Sequence, residues 1–379
     1  MSLKSLFSLK CFATQYLLSF LALYLITKVS CCAGCLFSWL GGLLVLSALA
    51  WRVTKKIRKR MNSEFLTSYK RAVLVTGCDS GFGNALAQTL NEHGFRVYAT
   101  VLDTDSDGAK KLLTSARFDG MTTVLRMDVT SDDEVNAVYE QIAKELQQNG
   151  EKLWAVVNNA GIFTMGPVDW GTIDSYKRVF EVNTFGTVRV SRTFLPLIRQ
   201  SKGRIVNLVS VAGRFTAPSL AIYSMSKHAI ISFSDALRRE SRKWGVKVST
   251  IEPTTYKTPM STADYLTDQL DRLWNETTES VQQVYGQEFY SSLKGKNAKA
   301  LSSYGIGEDI NEVIDRMVDA VRSPDPQIRY VCAPKLWKIK LFLIIAQYFP
   351  TEFYDLICEH RMGQQSPKPA SLMTVRNEE

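Results

Sequence analysis

The stretch Ala72-Val73-Leu74-Val75-Thr76-Gly77-Cys78-Asp79-Ser80-Gly81-Phe82-Gly83 decides the fold. An apolar run of strand length enters a glycine-rich turn, and a helical pattern follows as far as His93-Gly94. Glycine permits a tight turn and lets backbone N–H groups come close to a phosphate. The amino end of the next helix adds partial positive charge at the same place. The spacing is G-x-x-x-G-x-G rather than G-x-G-x-x-G, so the turn by itself also fits a plain glycine-rich connection.

β-Branched and apolar runs recur at residues 95–101, 122–127, 153–157, 204–209, 246–251 and 327–332. Helical segments such as 132–148 separate them. Strands that read as continuous apolar runs belong to a parallel sheet covered on both faces. The expectation is α/β: a single doubly wound parallel-sheet domain of Rossmann type over residues 64–335.

The N-terminal part differs in kind. Of 46 basic residues, Lys4, Lys10, Lys28, Arg52, Lys55, Lys56, Arg58, Lys59 and Arg60 lie in residues 1–63, which hold no acid. This leaves 37 basic against 37 acidic side chains in the body, so the +9 of the chain is confined to its first segment. A neutral body predicts no nucleic-acid partner. Residues 29–51 form a 23-residue run without charge, about 35 Å as a helix, and 11–27 is a second uncharged run. Residues 1–60 are therefore expected to be a membrane anchor of one or two transmembrane helices. The basic cluster from Arg52 to Arg60 places the body in the cytosol, on the endoplasmic reticulum or alternatively on a mitochondrial membrane. Glycosylation at the sequon Asn275-Glu276-Thr277 would contradict that topology.

Residues 336–379 read as a C-terminal membrane-associated or lid segment, broken at Pro350, with a disordered tail after Gly363. Four of the seven cysteines lie in the N-terminal segment, and a reduced compartment is expected for the body. Three scattered histidines without acidic partners at ligand spacing predict no metal site.

Tyr223-Ser224-Met225-Ser226-Lys227 puts a phenol and an ammonium at i and i+4, on one helix face. A tyrosine needs neighbouring positive charge to act as an acid or base near neutral pH. Ser210 ends the 204–209 run, where the strands of such a sheet meet ligands. No Lys or Arg occurs from Ala72 to Leu86, and after Arg96 none occurs before Lys110. Asp103 and Asp105 sit past the second strand instead, which favours NAD over NADP. Asp103 is either the ribose ligand or a solvated loop acid.

Together these residues resemble the short-chain dehydrogenase/reductase family over about residues 70–335. The match rests on Thr76-Gly77-x-x-x-Gly81-x-Gly83, Asp128-Val129, Asn158-Asn159-Ala160-Gly161, Asn183, Ser210 and Tyr223-x-x-x-Lys227, in family order. The resemblance implies a catalytic tetrad of Asn183, Ser210, Tyr223 and Lys227. It implies cofactor contacts from Thr76, Gly77, Ser80, Gly81, Phe82, Gly83, Asp103, Asp128, Val129, Asn159, Ala160, Gly161, Tyr223, Lys227, Pro253 and Thr258. Thr254 departs from the family's glycine after Pro253, and its β-carbon narrows the space expected for nicotinamide.

The local wording is similar to the membrane-bound branch of steroid, retinol and D-3-hydroxybutyrate dehydrogenases. The implied activity is NAD-dependent oxidation of a lipophilic alcohol of steroid or retinoid class to the carbonyl, or the reverse reduction of a ketone. A D-3-hydroxybutyrate dehydrogenase and a catalytically idle, membrane-tethered NAD-binding scaffold are the alternatives. Membrane lipid and a homodimer partner are the further expectations. Tyr265, Trp274, Tyr285 and Phe289 are candidates for a substrate wall.

Overall fold

A computed structural model describes residues 64–303 and 306–363, with residues 25, 41–43, 46, 47 and 50 before them. The expected anchor and the tail after Gly363 lie outside the described residues, apart from those isolated positions. Among the described residues no helix is long and apolar enough to cross a membrane. The chain divides into two units, Met1–Glu64 and Phe65–Glu379, and the second holds the sheet.

In chain order the elements are β1 (Arg71–Val75), α1 (Gly81–Glu92), β2 (Arg96–Val101), α2 (Asp107–Thr114), β3 (Thr122–Arg126), α3 (Asp132–Asn149) and β4 (Lys152–Asn158). There follow α4 (Ile173–Phe180), a π-helical turn (Glu181–Gly186), α5 (Thr187–Ser201), β5 (Arg204–Leu208), α6 (Ala221–Ser241) and β6 (Lys247–Pro253). The remainder is α7 (Ala263–Glu276), α8 (Glu279–Ser303), α9 (Asn311–Arg322), β7 (Arg329–Cys332), α10 (Leu336–Tyr348) and α11 (Thr351–Gly363).

The strands form one parallel sheet in the order β3-β2-β1-β4-β5-β6-β7. Two-residue periodicity divides its side chains between two cores. Val73 and Val75 of β1 face Leu86 and Leu90 of α1 and Ile314 and Met317 of α9. Ala72 and Leu74 face Ile142 and Leu146 of α3 and Val190 and Phe194 of α5. Both faces are thus covered, as the uninterrupted apolar runs require. The last strand starts at Arg329 rather than residue 327, and before it the Gln327 amide donates to the Tyr330 hydroxyl.

β1 lies between β2 and β4, so the connections run toward opposite edges on either side of it. At such a switch point the loops after β1 and β4 part and leave a crevice at the carboxyl ends of the strands. A buried amide chain braces this place. Asn158 of β4 donates to Asn207 of β5 at 2.8 Å, and Asn207 donates to Ser234 of α6 at 2.8 Å.

Candidate active site

The two loops at the switch point are bonded to each other. The Thr76 hydroxyl accepts from the amides of Asn159 and Ala160, both at 3.0 Å. The Asn159 side chain donates back to the carbonyls of Thr76 at 2.9 Å and Gly77 at 2.8 Å. Gly77 has φ +67° and Gly81 φ +59°, a left-handed backbone that suits glycine. A β-carbon at Gly83 would collide with the Gly77 carbonyl and the Asn159 amide, so only glycine lets α1 close on the turn. Ser80 at the amino end of α1 makes no capping side-chain bond, and the first turn holds no acid. By contrast, serine hydroxyls cap α2 and α3 through Ser106 and Ser131. The first N–H groups of α1 are left for a ligand. Thr258, beyond β6, stands opposite Gly81, whose added β-carbon would lie 3.7 Å from it. Phe82 turns into the core, edge-on to Tyr256.

Asn183 of the π-helical turn, Ser210 after β5, and Tyr223 and Lys227 of α6 come from three stretches of chain and meet beside this crevice. Lys227 is 4% exposed, and the one hydrogen bond described for its ammonium goes to the Leu208 carbonyl at 3.1 Å. Its Nζ stands 5.6 Å from the centre of the Tyr223 ring. Asn183 sits in the π-helical turn, a bulge that re-aims one residue of an otherwise helical run. Its side chain exchanges bonds with the main chain of Ile162, accepting at 2.8 Å and donating at 2.9 Å, and donates to Ser226 at 3.1 Å. A β-carbon on Gly161 would lie 3.2 Å from Asn183 Oδ1 and 3.6 Å from Lys227 Nζ, so the three converge. The Ser210 hydroxyl accepts from the Ala212 amide at 3.1 Å and donates to the Pro253 carbonyl at 3.3 Å. Burial pushes the Lys227 ammonium down to about 8. Burial also pushes the Tyr223 phenol up to about 12, against the opposing effect of the Ser210 hydroxyl.

Other expected residues fall into different settings. Asp128 accepts from the Thr130 amide and hydroxyl, at 2.9 and 2.8 Å, in its own turn. Val129 is buried against Gly186 of the π turn. Asp103 is exposed and accepts from the Asp105 amide at 2.9 Å. The Thr254 hydroxyl is directed at the Cys332 carbonyl of β7, 3.4 Å away. Of the four aromatic candidates for a substrate wall, Tyr265 lies at the site. Its hydroxyl bonds the amide and carbonyl of Phe163, both at 3.3 Å, and the Phe163 ring stands edge-on to Tyr223 at 4.8 Å. Trp274, Tyr285 and Phe289 instead pack around the buried Trp170 in a cluster of their own. Among the described residues no group of His, Cys, Asp and Glu is placed to hold a metal.

Arg214 and Glu252 escaped the sequence reading. Glu252 is fully buried in β6 and accepts from Arg214 through both oxygens, each at 3.1 Å, and from Thr250 at 2.7 Å. Arg214 follows Ser210 in the same loop, and Glu252 precedes Pro253, whose carbonyl holds the serine hydroxyl. The ion pair therefore fixes both sides of the Ser210 setting. An acid among the otherwise uncharged residues 248–253 of β6 was the available signal.

The family pattern and the relatives that follow identify an oxidoreductase acting on CH–OH groups. The pattern of the short chain dehydrogenase family matches residues 71–269, and the chain belongs to that family. It is 37% identical to retinol dehydrogenase 7 of Rattus norvegicus, over 83% of this chain and 95% of that protein. It is 37% identical to mitochondrial D-beta-hydroxybutyrate dehydrogenase of Bos taurus, over 76% of this chain and 84% of that protein. It is 33% identical to human 17-beta-hydroxysteroid dehydrogenase type 2, over 92% of this chain and 88% of that protein. The fold matches a short-chain dehydrogenase from Streptomyces avermitilis with TM-score 0.59 and 20% identity, covering 80% of this chain and 100% of that one.

Glu252→Gln leaves the Arg214 guanidinium without a carboxylate in a mostly buried place. It is expected to lower stability by about 3 kcal/mol in denaturant unfolding and kcat by about tenfold, with the KM for cofactor unchanged. An unchanged unfolding midpoint together with unchanged kcat would remove the pair from this role.

Proposed function

We propose that this protein is an NAD-dependent dehydrogenase that oxidises a lipophilic secondary or allylic alcohol, of steroid or retinoid class, at a membrane. The observation that carries this reading is Tyr223 and the buried Lys227 ammonium on one face of α6, with Ser210 beside the phenol. NAD fits the residues present: the cradle that a β-carbon at Gly83 would fill, the uncapped start of α1, and no Lys or Arg in residues 72–86 or 97–109 to favour an added phosphate. When bound, NAD supplies the hydride acceptor. Tyr223 takes the proton of the substrate hydroxyl, and Ser210 orients the oxygen. Lys227 favours the phenolate, and Asn183 holds the Ile162 main chain and the surroundings of the lysine in register. Phe163 and Tyr265 give the mouth of the site an aromatic lining suited to an apolar substrate.

The membrane setting is inferred from residues 1–60 and from α10. Trp337, Leu341, Ile344 and Tyr348 are exposed at helical spacing on one face of α10. Leu343 is buried, and Phe342 packs on Phe215 at 4.8 Å. A helix that is apolar on both faces needs an apolar medium on the outer one, and Lys335, Lys338 and Lys340 suit the headgroups beside it.

NADH formation by membranes carrying the protein, assayed with a steroid, retinol and 3-hydroxybutyrate, tests the activity. Turnover is expected with a steroid or with retinol, and Tyr223→Phe is expected to lose about hundredfold or more of it while still binding NAD. Turnover with 3-hydroxybutyrate alone would replace the lipophilic reading. NAD binding without any turnover would favour an idle scaffold. Alkaline carbonate extraction tests the anchor: the full chain is expected to stay with the membranes with Asn275 unglycosylated. Release into solution, or a glycan on Asn275, would contradict the anchor or its orientation.

A further inference from the structure

The acid that a dinucleotide fold uses for the adenosine ribose stands at the end of the second strand. Here Asp103 lies past that end, exposed and engaged by the Asp105 amide. The carboxylate that does reach the end of β2 comes from the glycine-rich turn: the Leu102 amide donates to Asp79 Oδ1 at 2.9 Å. The main chain of the turn is joined to the same place, with the Cys78 amide donating to the Thr100 carbonyl at 2.8 Å. Asn84 clamps the other side, donating to the carbonyls of Cys78 and Gly108, both at 2.9 Å. A β-carbon on Gly108 would collide with the Asp79 carbonyl, so the start of α2 is pressed against this residue.

We infer that Asp79 is the specificity-determining carboxylate of the cofactor site, accepting a ribose hydroxyl through Oδ2 and repelling a 2′-phosphate. This rests on the dinucleotide reading above and names the residue that sets its choice. One carboxylate oxygen is held by the Leu102 amide, which fixes the side chain, and no described hydrogen bond takes up the other. Asp79 is half-buried, and a phosphate dianion brought beside it would meet like charge in a partly desolvated place. No Lys or Arg lies between Ala72 and Leu86 or between Val97 and Ala109 to offset that repulsion. The acid thus precedes β2 in the chain while standing at its end in space.

The test is direct titration of the full-length protein with NADH and NADPH, followed by cofactor fluorescence, on wild type, Asp79→Asn and Asp103→Asn. Asparagine keeps an acceptor for the Leu102 amide, so the turn is expected to hold, and thermal melting checks it. Wild type is expected to bind NADH about hundredfold more tightly than NADPH. Asp79→Asn is expected to weaken NADH about tenfold and to strengthen NADPH, so that the two fall within a few-fold of each other. A preference unchanged in Asp79→Asn, or one that collapses in Asp103→Asn instead, would overturn the assignment. Wild type that prefers NADPH, or binds neither, would overturn the NAD reading itself and this assignment with it.

Discussion

A lysine ammonium held out of water with one described acceptor, the Leu208 carbonyl, is the constraint on which the rest of the site depends. Left to itself such a group sheds its proton, and burial draws Lys227 in that direction. The phenol beside it is drawn the opposite way, toward staying protonated. Each group needs what the other offers, since an ammonium stabilises a phenolate and a phenolate an ammonium. A positively charged nicotinamide ring adds to the same balance.

The surrounding structure follows from keeping that pair in place. The π-helical turn brings Asn183 to Gly161 and the lysine, and the Asn158–Asn207–Ser234 chain ties β4, β5 and α6 below them. Thr76 and Asn159 close the switch point, and the Arg214–Glu252 pair braces the serine loop against β6. The same loop continues into Phe215 and Thr216, which meet Phe342 of α10 and Tyr354 of α11. The outward apolar stripe of α10 therefore sits one layer of side chains from the loop that carries Ser210.

Much of this was legible beforehand. The strands announced themselves because a sheet buried on both faces admits little but apolar residues. Tyr223 and Lys227 were singled out by their i, i+4 spacing and Ser210 by its strand end, whereas Asn183 came only with the family resemblance. What stayed hidden depended on contacts distant in sequence. The segment Glu181–Gly186 reads as ordinary helix, and nothing local signals its π turn. Trp274, Tyr285 and Phe289 declare an apolar surface, yet sequence does not say that Trp170 fills it. Thr254 stands out in sequence for its β-carbon, but that its hydroxyl is directed to the Cys332 carbonyl of β7 shows only in space. Asp103 and Asp79 are equally acidic in sequence, and the Leu102 amide distinguishes them only in space.

The proposed activity makes Tyr223 the acid–base group, tuned by Lys227. The pH dependence of alcohol oxidation at saturating NAD tests it most directly. The rate is expected to rise with pH along a limb centred below the ordinary tyrosine value of 10.0, against the burial that by itself pushes the Tyr223 phenol up to about 12. Lys227→Met should move the limb upward. A rate independent of pH from about 6 to 10, or a limb unmoved in Lys227→Met, would contradict it.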